Sequence, residues 1–184
     1  MQFMRTGTIT LGLLLGGGTA VHFALLADND GHENEDNNVA IIDKCDPADP
    51  AWNPTGGCAL KPKQGDVTFA EFNAFLFSPL GPAGLLIGHP AWRNDPSYLS
   101  IHDGKTVHVT NAGGRTHTFT EVANYGGGII PPLNGALAAA PECNPLTITA
   151  LAPGDKANVK GLAPGLHKFQ CCIHPWMRAA VRVE

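Results

Sequence analysis

The stretch FQCCIHPWMR, residues 169–178, decides the interpretation of this 184-residue chain. It places a thiol, an imidazole and a thioether within seven residues, at Cys171, His174 and Met177. Thiolate and thioether sulfurs are soft ligands that favour copper, and imidazole also suits this metal. One Cys, two His and a weak, distant Met form the ligand set of a mononuclear copper electron-transfer site. The stretch therefore predicts three of four ligands and requires a second histidine from elsewhere.

Apolar and polar side chains alternate through the second half of the chain, with the period of two that is typical of β-strands. Val107 and Val109 alternate with polar neighbours, as do Val181 and Val183 near the C-terminus. The 22 Gly and 15 Pro fit many short strands that are joined by turns. We predict strands at residues 98–101, 105–110, 115–120, 146–151, 156–159, 166–172 and 178–183. This pattern predicts an all-β sandwich or barrel.

Residues 66–77 are the one segment for which we predict a helix. Thr68 and Glu71 have the spacing of a capping box, in which each side chain bonds the backbone N–H of the other residue. Apolar residues recur at helical spacing, at Phe69, Phe72 and Leu76. We expect this apolar face to pack against a sheet.

The first 27 residues have the layout of a secretory signal peptide. Arg5 is the only charged residue in residues 1–27, and a long apolar run follows it. Small residues allow cleavage after Ala20 or Ala27. The alternative is an uncleaved membrane anchor, since the run is about long enough to span a bilayer. The chain is therefore expected to be exported.

Residues 28–60 are interpreted as an acidic leader with a disulfide loop. They carry eight acidic residues against Lys44 alone. Residues 28–38 lack aromatic side chains, which predicts a disordered, solvated segment. Cys45 and Cys58 follow, and in an exported protein they most simply form a disulfide. The folded domain is accordingly predicted to span residues 61–184.

The second histidine ligand must come from a distant part of the chain. His117 begins a predicted strand after a glycine turn, so it can be brought across from a neighbouring strand. His102 and His108 fall at polar strand positions, where exposure to solvent is expected. His89 has no Cys or Met companion and is interpreted as structural. His117 is therefore the candidate.

The chain resembles the cupredoxin family in three features that follow one another in the sequence. They are the segment KTVHVTN at residues 105–111, then His117, then the spacing of Cys171, His174 and Met177. The spacing of the ligand loop is similar to that of amicyanin, with plastocyanin close behind, and the resemblance covers about residues 97–184. It implies a Greek-key β-sandwich with one type 1 copper. The copper would be held strongly by His117, Cys171 and His174, with Met177 as the long axial ligand.

Two adjacent cysteines compete for the ligand position. Cys171 has the family's spacing to His174, and Cys172 would project to the opposite face of the strand because side chains alternate. Cys171 is therefore preferred as the ligand. The remaining cysteines could then pair as Cys45–Cys58 and, by hypothesis, Cys143–Cys172.

The residue after the upstream histidine departs from the family pattern. Cupredoxins commonly have Asn there, which ties the two ligand segments together, whereas this chain has Thr118. Hydrogen bonds to the ligands orient them and tune the metal. We predict that the Thr118 hydroxyl takes over part of this role.

These features predict an exported, periplasmic or secreted one-electron carrier rather than an enzyme, because protein atoms fill all four copper positions. Redox partner proteins are expected to dock near His174, Pro175 and Trp176, although Trp176 could instead pack against the predicted helix. Copper storage or delivery is the alternative function, and a domain that binds no metal is the third. The basic residues are scattered, so no nucleic-acid binding surface is expected. No stable membrane insertion is expected after signal cleavage.

Overall fold

The structure is a computed structural model that describes residues 37–79, 81 and 89–184. These residues contain eight strands, one α-helix and two short 3-10 helices. The helix α1 spans Phe69–Leu76, and the 3-10 helices span Pro50–Thr55 and Pro131–Leu133. The strands are β1 (Asn38–Asp43), β2 (Trp92–Asp95), β3 (Tyr98–Ile101), β4 (Val107–Asn111), β5 (Thr120–Val122), β6 (Lys156–Val159), β7 (Gly165–Gln170) and β8 (Arg178–Val183).

The strands form two four-stranded sheets, with the orders β2-β1-β4-β6 and β3-β8-β7-β5. The pairs β1–β4 and β3–β8 are parallel, and the other neighbours are antiparallel. One buried apolar cluster contains Val39 and Val109 from the first sheet together with Phe169 and Val181 from the second. Because inward side chains of both sheets share this core, the predicted all-β sandwich with one helix is confirmed.

Strand β1 lies where the sequence predicted an acidic leader. It is an interior strand of its sheet, between β2 and β4. Val39, Ile41 and Asp43 are all buried, at 0–1% exposure, and alternate with less buried neighbours. Residues 38–43 are therefore part of the folded domain, and the domain begins well before residue 61.

The predicted strand at 146–151 does not form. Instead, the carbonyl of Asn144 accepts hydrogen bonds from the N–H groups of Thr147 and Ile148, at 2.9 and 3.0 Å, which turns the chain. Only Leu151 makes a bridge, to His117. Within the predicted strand at 115–120, the regular strand β5 starts only at its last residue.

The capping box of α1 is confirmed. Thr68 Oγ1 accepts from Glu71 N–H at 3.2 Å, and the Glu71 carboxylate accepts from Thr68 N–H at 2.9 Å. The helix buries Phe72, whose ring lies 5.3 Å from that of Trp52 and 4.6 Å from that of Trp92. The helix is therefore held on the sandwich by an aromatic cluster, as its apolar face predicted.

Both predicted disulfides are present, Cys45–Cys58 and Cys143–Cys172, and Cys171 is the free cysteine. None of the helices in the described ranges is long and apolar enough to cross a membrane. The predicted signal peptide and most of the predicted disordered leader lie outside the described residues.

Candidate metal centre

A histidine from the middle of the chain meets a cysteine and a second histidine from the loop between β7 and β8. Cys171 directly follows β7, and His174 lies in the turn before β8. His117 is fixed by two backbone hydrogen bonds with Leu151, at 3.0 and 2.8 Å. The Cys171 Sγ lies 3.7 Å from the Nδ1 of each histidine, and the two Nδ1 atoms are 3.2 Å apart. The structure therefore brings together three of the four predicted ligands.

The geometry of these three donors fits a single metal ion. Protein ligands bind zinc-sized ions at about 2.0 Å for imidazole nitrogen and about 2.3 Å for thiolate sulfur. Donors around one such ion are then about 3 to 4 Å apart, as the three atoms are here. His117 and Cys171 are fully buried and His174 is 6% exposed. A thiol with two imidazoles is a donor set that suits copper.

Asp43 holds the far nitrogen of His117, and sequence reasoning missed it. The Asp43 carboxylate accepts from His117 Nε2 at 2.8 Å, and both side chains are fully buried. With Nε2 bonded to a carboxylate, Nδ1 is the nitrogen left to face a metal. The only sequence signal was the alternation of Val39, Ile41 and Asp43, which places the carboxylate on the inner face of a strand.

Asp43 is itself held by the loop that carries His117. Its carboxylate accepts from the backbone N–H groups of Gly114 and Arg115, at 2.9 and 3.0 Å. A Cβ on Gly113 would collide with the Asp43 carboxylate, and one on Gly114 would lie 2.6 and 2.8 Å from the sulfurs of the Cys45–Cys58 disulfide. The two glycines are therefore needed for the close approach of this loop to β1.

The charges of the metal-free site are set by these contacts. Burial opposes a charge on His117, but the hydrogen bonds to Asp43 and Cys171 outweigh it and raise its pKa to about 9. Burial also opposes ionisation of Cys171, yet its contacts with His117 and His174 hold the thiol pKa well below the usual value. For His174 burial dominates and lowers the pKa. These contacts thus favour the thiolate form, which is the form that binds metals.

Backbone N–H groups also stabilise the sulfur of Cys171. The N–H groups of Thr118 and His174 both point at Sγ, at 3.4 Å each. The Thr118 hydroxyl in turn accepts from the N–H of Cys172 at 2.7 Å. The structural part of the Thr118 prediction is therefore confirmed, because this hydroxyl ties the His117 segment to the Cys171 loop.

Met177 is fully buried and closes the ligand loop through its backbone. Its carbonyl accepts from Cys171 N–H, and its N–H donates to the His174 carbonyl, both at 2.9 Å. These bonds keep residues 171–177 in one tight turn. Assignment of Met177 as the axial ligand remains a prediction.

The expected exposed patch around His174 differs from what the structure contains. Pro175 is buried, and His174 and Trp176 are only 6% and 4% exposed. The Trp176 ring lies 5.5 Å from the His174 ring and 6.3 Å from that of Phe72 in α1. Of the two alternatives for Trp176, packing against the helix is the one observed, through Phe72.

The solved structures that are similar to this chain include a purple cupredoxin from Nitrosopumilus maritimus, at 24% identity over 55% of this chain and 92% of that one, with a TM-score of 0.39. They also include two reduced amicyanin mutants. One has 23% identity over 48% of this chain and 70% of its own, with a TM-score of 0.33. The other has 22% identity over 50% of this chain and 73% of its own, with a TM-score of 0.35. No protein-family profile and no curated protein matches the chain. These three structures are cupredoxins. The cluster joins His117 to Cys171 and His174 of the ligand loop, as the sequence predicted.

Proposed function

We propose that this chain binds one copper ion at His117, Cys171 and His174, with Met177 as a weak axial ligand, and carries single electrons. The observation that carries the proposal is the convergence of the one free thiol among the described residues with two imidazole Nδ1 atoms. Copper bound there would supply a one-electron couple that needs little rearrangement of its ligands. No catalytic role is proposed.

The residues around the site support electron transfer rather than storage or delivery of copper. Asp43 fixes the ring of His117, and two backbone N–H groups fix the sulfur of Cys171. Ligands that cannot move independently reorganise little when the metal changes its charge. They also release a metal slowly, which is unsuited to delivery.

The proposed redox partner approaches His174, as the family resemblance implies. Because Pro175 and Trp176 are buried, the partner would contact other side chains that neighbour His174. His174 lines an apolar groove of about 310 Å³, together with Ile173, Phe77 and Ile130. Phe77 is 58% exposed and Ile130 is 38% exposed. A partner protein that covers this groove would come close to a copper ligand while it buries apolar surface.

Export to the periplasm or outside the cell is part of the proposal. Its support is the predicted signal peptide and the two disulfides, Cys45–Cys58 and Cys143–Cys172. Structural disulfides form and persist in oxidising compartments and are rare in the cytosol.

Stopped-flow reduction and reoxidation of the copper form by small redox reagents tests the carrier function. We expect rapid cycling in both directions with full retention of the metal after many turnovers. Loss of copper on reduction, or reduction that is slow and irreversible, would favour storage or delivery. The Cys171→Ser variant is the control for copper bound elsewhere on the protein.

A further inference from the structure

A second cluster of polar side chains surrounds a cleft of about 560 Å³ beside the ligand loop. Trp92 and Asn94 reach it from β2, and His89 lies just before that strand. Trp176 lines it from the ligand loop and Arg178 from the first position of β8. The cleft is separate from the donors of the metal centre, which do not line it.

Several buried polar atoms around this cleft lack partners. Six buried side-chain nitrogen or oxygen atoms in the described part of the chain have no hydrogen-bond partner, and five of these belong to four residues of the cleft. They are His89 Nε2, Trp92 Nε1, Trp176 Nε1 and both amide atoms of Asn94. Each of the four side chains is at most 6% exposed. An unpaired buried polar group costs about 1–3 kcal/mol, so their concentration at one place indicates an occupant that bonds them.

Four of these five atoms are N–H donors. An indole nitrogen can only donate, so Trp92 Nε1 and Trp176 Nε1 are both donors. His89 Nδ1 accepts from the N–H of Ala91 at 3.1 Å, which leaves the proton on Nε2. Burial lowers the pKa of His89 to about 4, so this ring is neutral near pH 7. The Asn94 amide adds a further donor, and its oxygen is the only acceptor among the five.

The charges at the cleft also favour an anion. Arg93, Asp95 and Arg178 line it, which gives one excess positive charge. Arg93 is already bound to Asp95 at 3.0 Å. Arg178 uses its Nε on the Pro175 carbonyl at 3.1 Å. Its guanidinium lies over the Tyr125 ring, 4.8 Å from the centroid, and its terminal nitrogens make no hydrogen bond to any described residue. An occupant that accepts several N–H bonds and carries negative charge would match this lining.

We propose that this cleft is a binding site for a small organic carboxylate. The carboxylate oxygens would accept from the ring N–H groups of Trp92, Trp176 and His89. The rings of Phe75 and Trp92 would contact the apolar part of the molecule. Because the donor atoms are closed off from solvent, ligand binding requires a side chain at the mouth to move, and Phe75 (36% exposed) is the one that we assign to this movement.

The three tryptophans of the chain provide an internal control. Trp52 Nε1 donates to the Val67 carbonyl at 3.1 Å and does not line the cleft. Titration of the ¹⁵N-labelled, metal-free full chain with benzoate and with acetate should shift the indole N–H signals of Trp92 and Trp176. These shifts should saturate with one dissociation constant, while the Trp52 signal stays in place. Sodium chloride at equal ionic strength should shift none of the three.

Trp→Phe variants assign the signals and test the donors. Trp92→Phe keeps an aromatic ring but removes the N–H, so it should weaken benzoate binding about tenfold, as expected for one lost hydrogen bond to a charged group. Trp52→Phe should leave the benzoate dissociation constant unchanged. No saturable shift up to 100 mM carboxylate, or equal shifts of all three indole signals, would overturn the proposal. Long-lived water detected at both cleft indoles, with no response to carboxylate, would also overturn it by showing that water is the occupant.

Discussion

The metal centre and the cleft beside the ligand loop both contain buried polar side chains, but they differ in how completely these polar groups are bonded. At the metal centre His117 Nε2 is bonded to Asp43, and Asp43 also accepts from two backbone N–H groups. At the cleft, four side chains leave five atoms without a partner among the described residues. Trp176 takes part in both regions: its ring contacts that of His174, and its N–H is one of the five unpaired atoms at the cleft.

This difference separates two kinds of buried polar group. Groups that are fully bonded within the protein hold a fixed geometry, and their removal should damage both metal binding and stability. Groups that are unbonded within the protein lower its stability while they lack a partner, so their removal should not destabilise the fold and should mainly affect what they bind. Each prediction below tests one side of this comparison.

Asp43→Asn should have the largest effect. It removes the charge that is buried against His117, and breaking a buried pair costs about 3 kcal/mol in the free energy of unfolding. Copper affinity should fall about 10- to 100-fold, as is typical when a group behind a ligand is changed. Competition with a copper chelator and denaturant unfolding of the metal-free protein measure the two effects. Asp103→Asn, at an exposed turn, is the matched control, and equal behaviour of the two variants would contradict the role of Asp43.

Thr118→Val should have an intermediate effect. The valine keeps the shape of threonine but leaves the N–H of Cys172 without an acceptor, which costs about 1–3 kcal/mol. Copper affinity should fall less than in Asp43→Asn, and the reduction potential should change because the Cys171 loop is less firmly tied. Thr116→Val, two residues earlier and exposed, should leave stability and potential unchanged. A Thr118→Val protein with wild-type affinity and potential would argue against the tie.

His89→Phe should have the smallest effect near neutral pH, and its effect should grow only in acid. The pKa of His89 is lowered from 6.5 in the unfolded chain to about 4 in the fold. Between these values the unfolded state binds a proton that the folded state excludes, so wild-type stability falls as the pH drops from 6.5 towards 4. His89 accounts for a loss of at most about 3 kcal/mol in the free energy of unfolding over this pH range. Urea unfolding of the metal-free proteins at several pH values should give a flatter profile for His89→Phe, with the difference between the proteins constant above pH 7. Parallel profiles throughout the acid range would show that burial does not suppress protonation of this ring.

The features that could be predicted from sequence are those encoded by nearby residues. Cys171, His174 and Met177 lie in one short loop, and the capping box of α1 joins residues three positions apart. Asp43 contacts a residue 74 positions away, through a parallel pairing of β1 with β4 that alternation alone does not reveal. The acidic run before residue 38 further concealed the strand. At 144–148 the turn at Asn144 overrides the alternation that predicted a strand.

Titration of the purified protein with Cu(II), followed by its visible spectrum, tests the central claim most directly. If His117, Cys171 and His174 share one copper ion, one equivalent should produce an intense thiolate-to-copper charge-transfer band, and Cys171→Ser should lack that band. A wild-type protein that stays colourless with one equivalent of bound Cu(II), or a Cys171→Ser variant with the same band, would contradict the account.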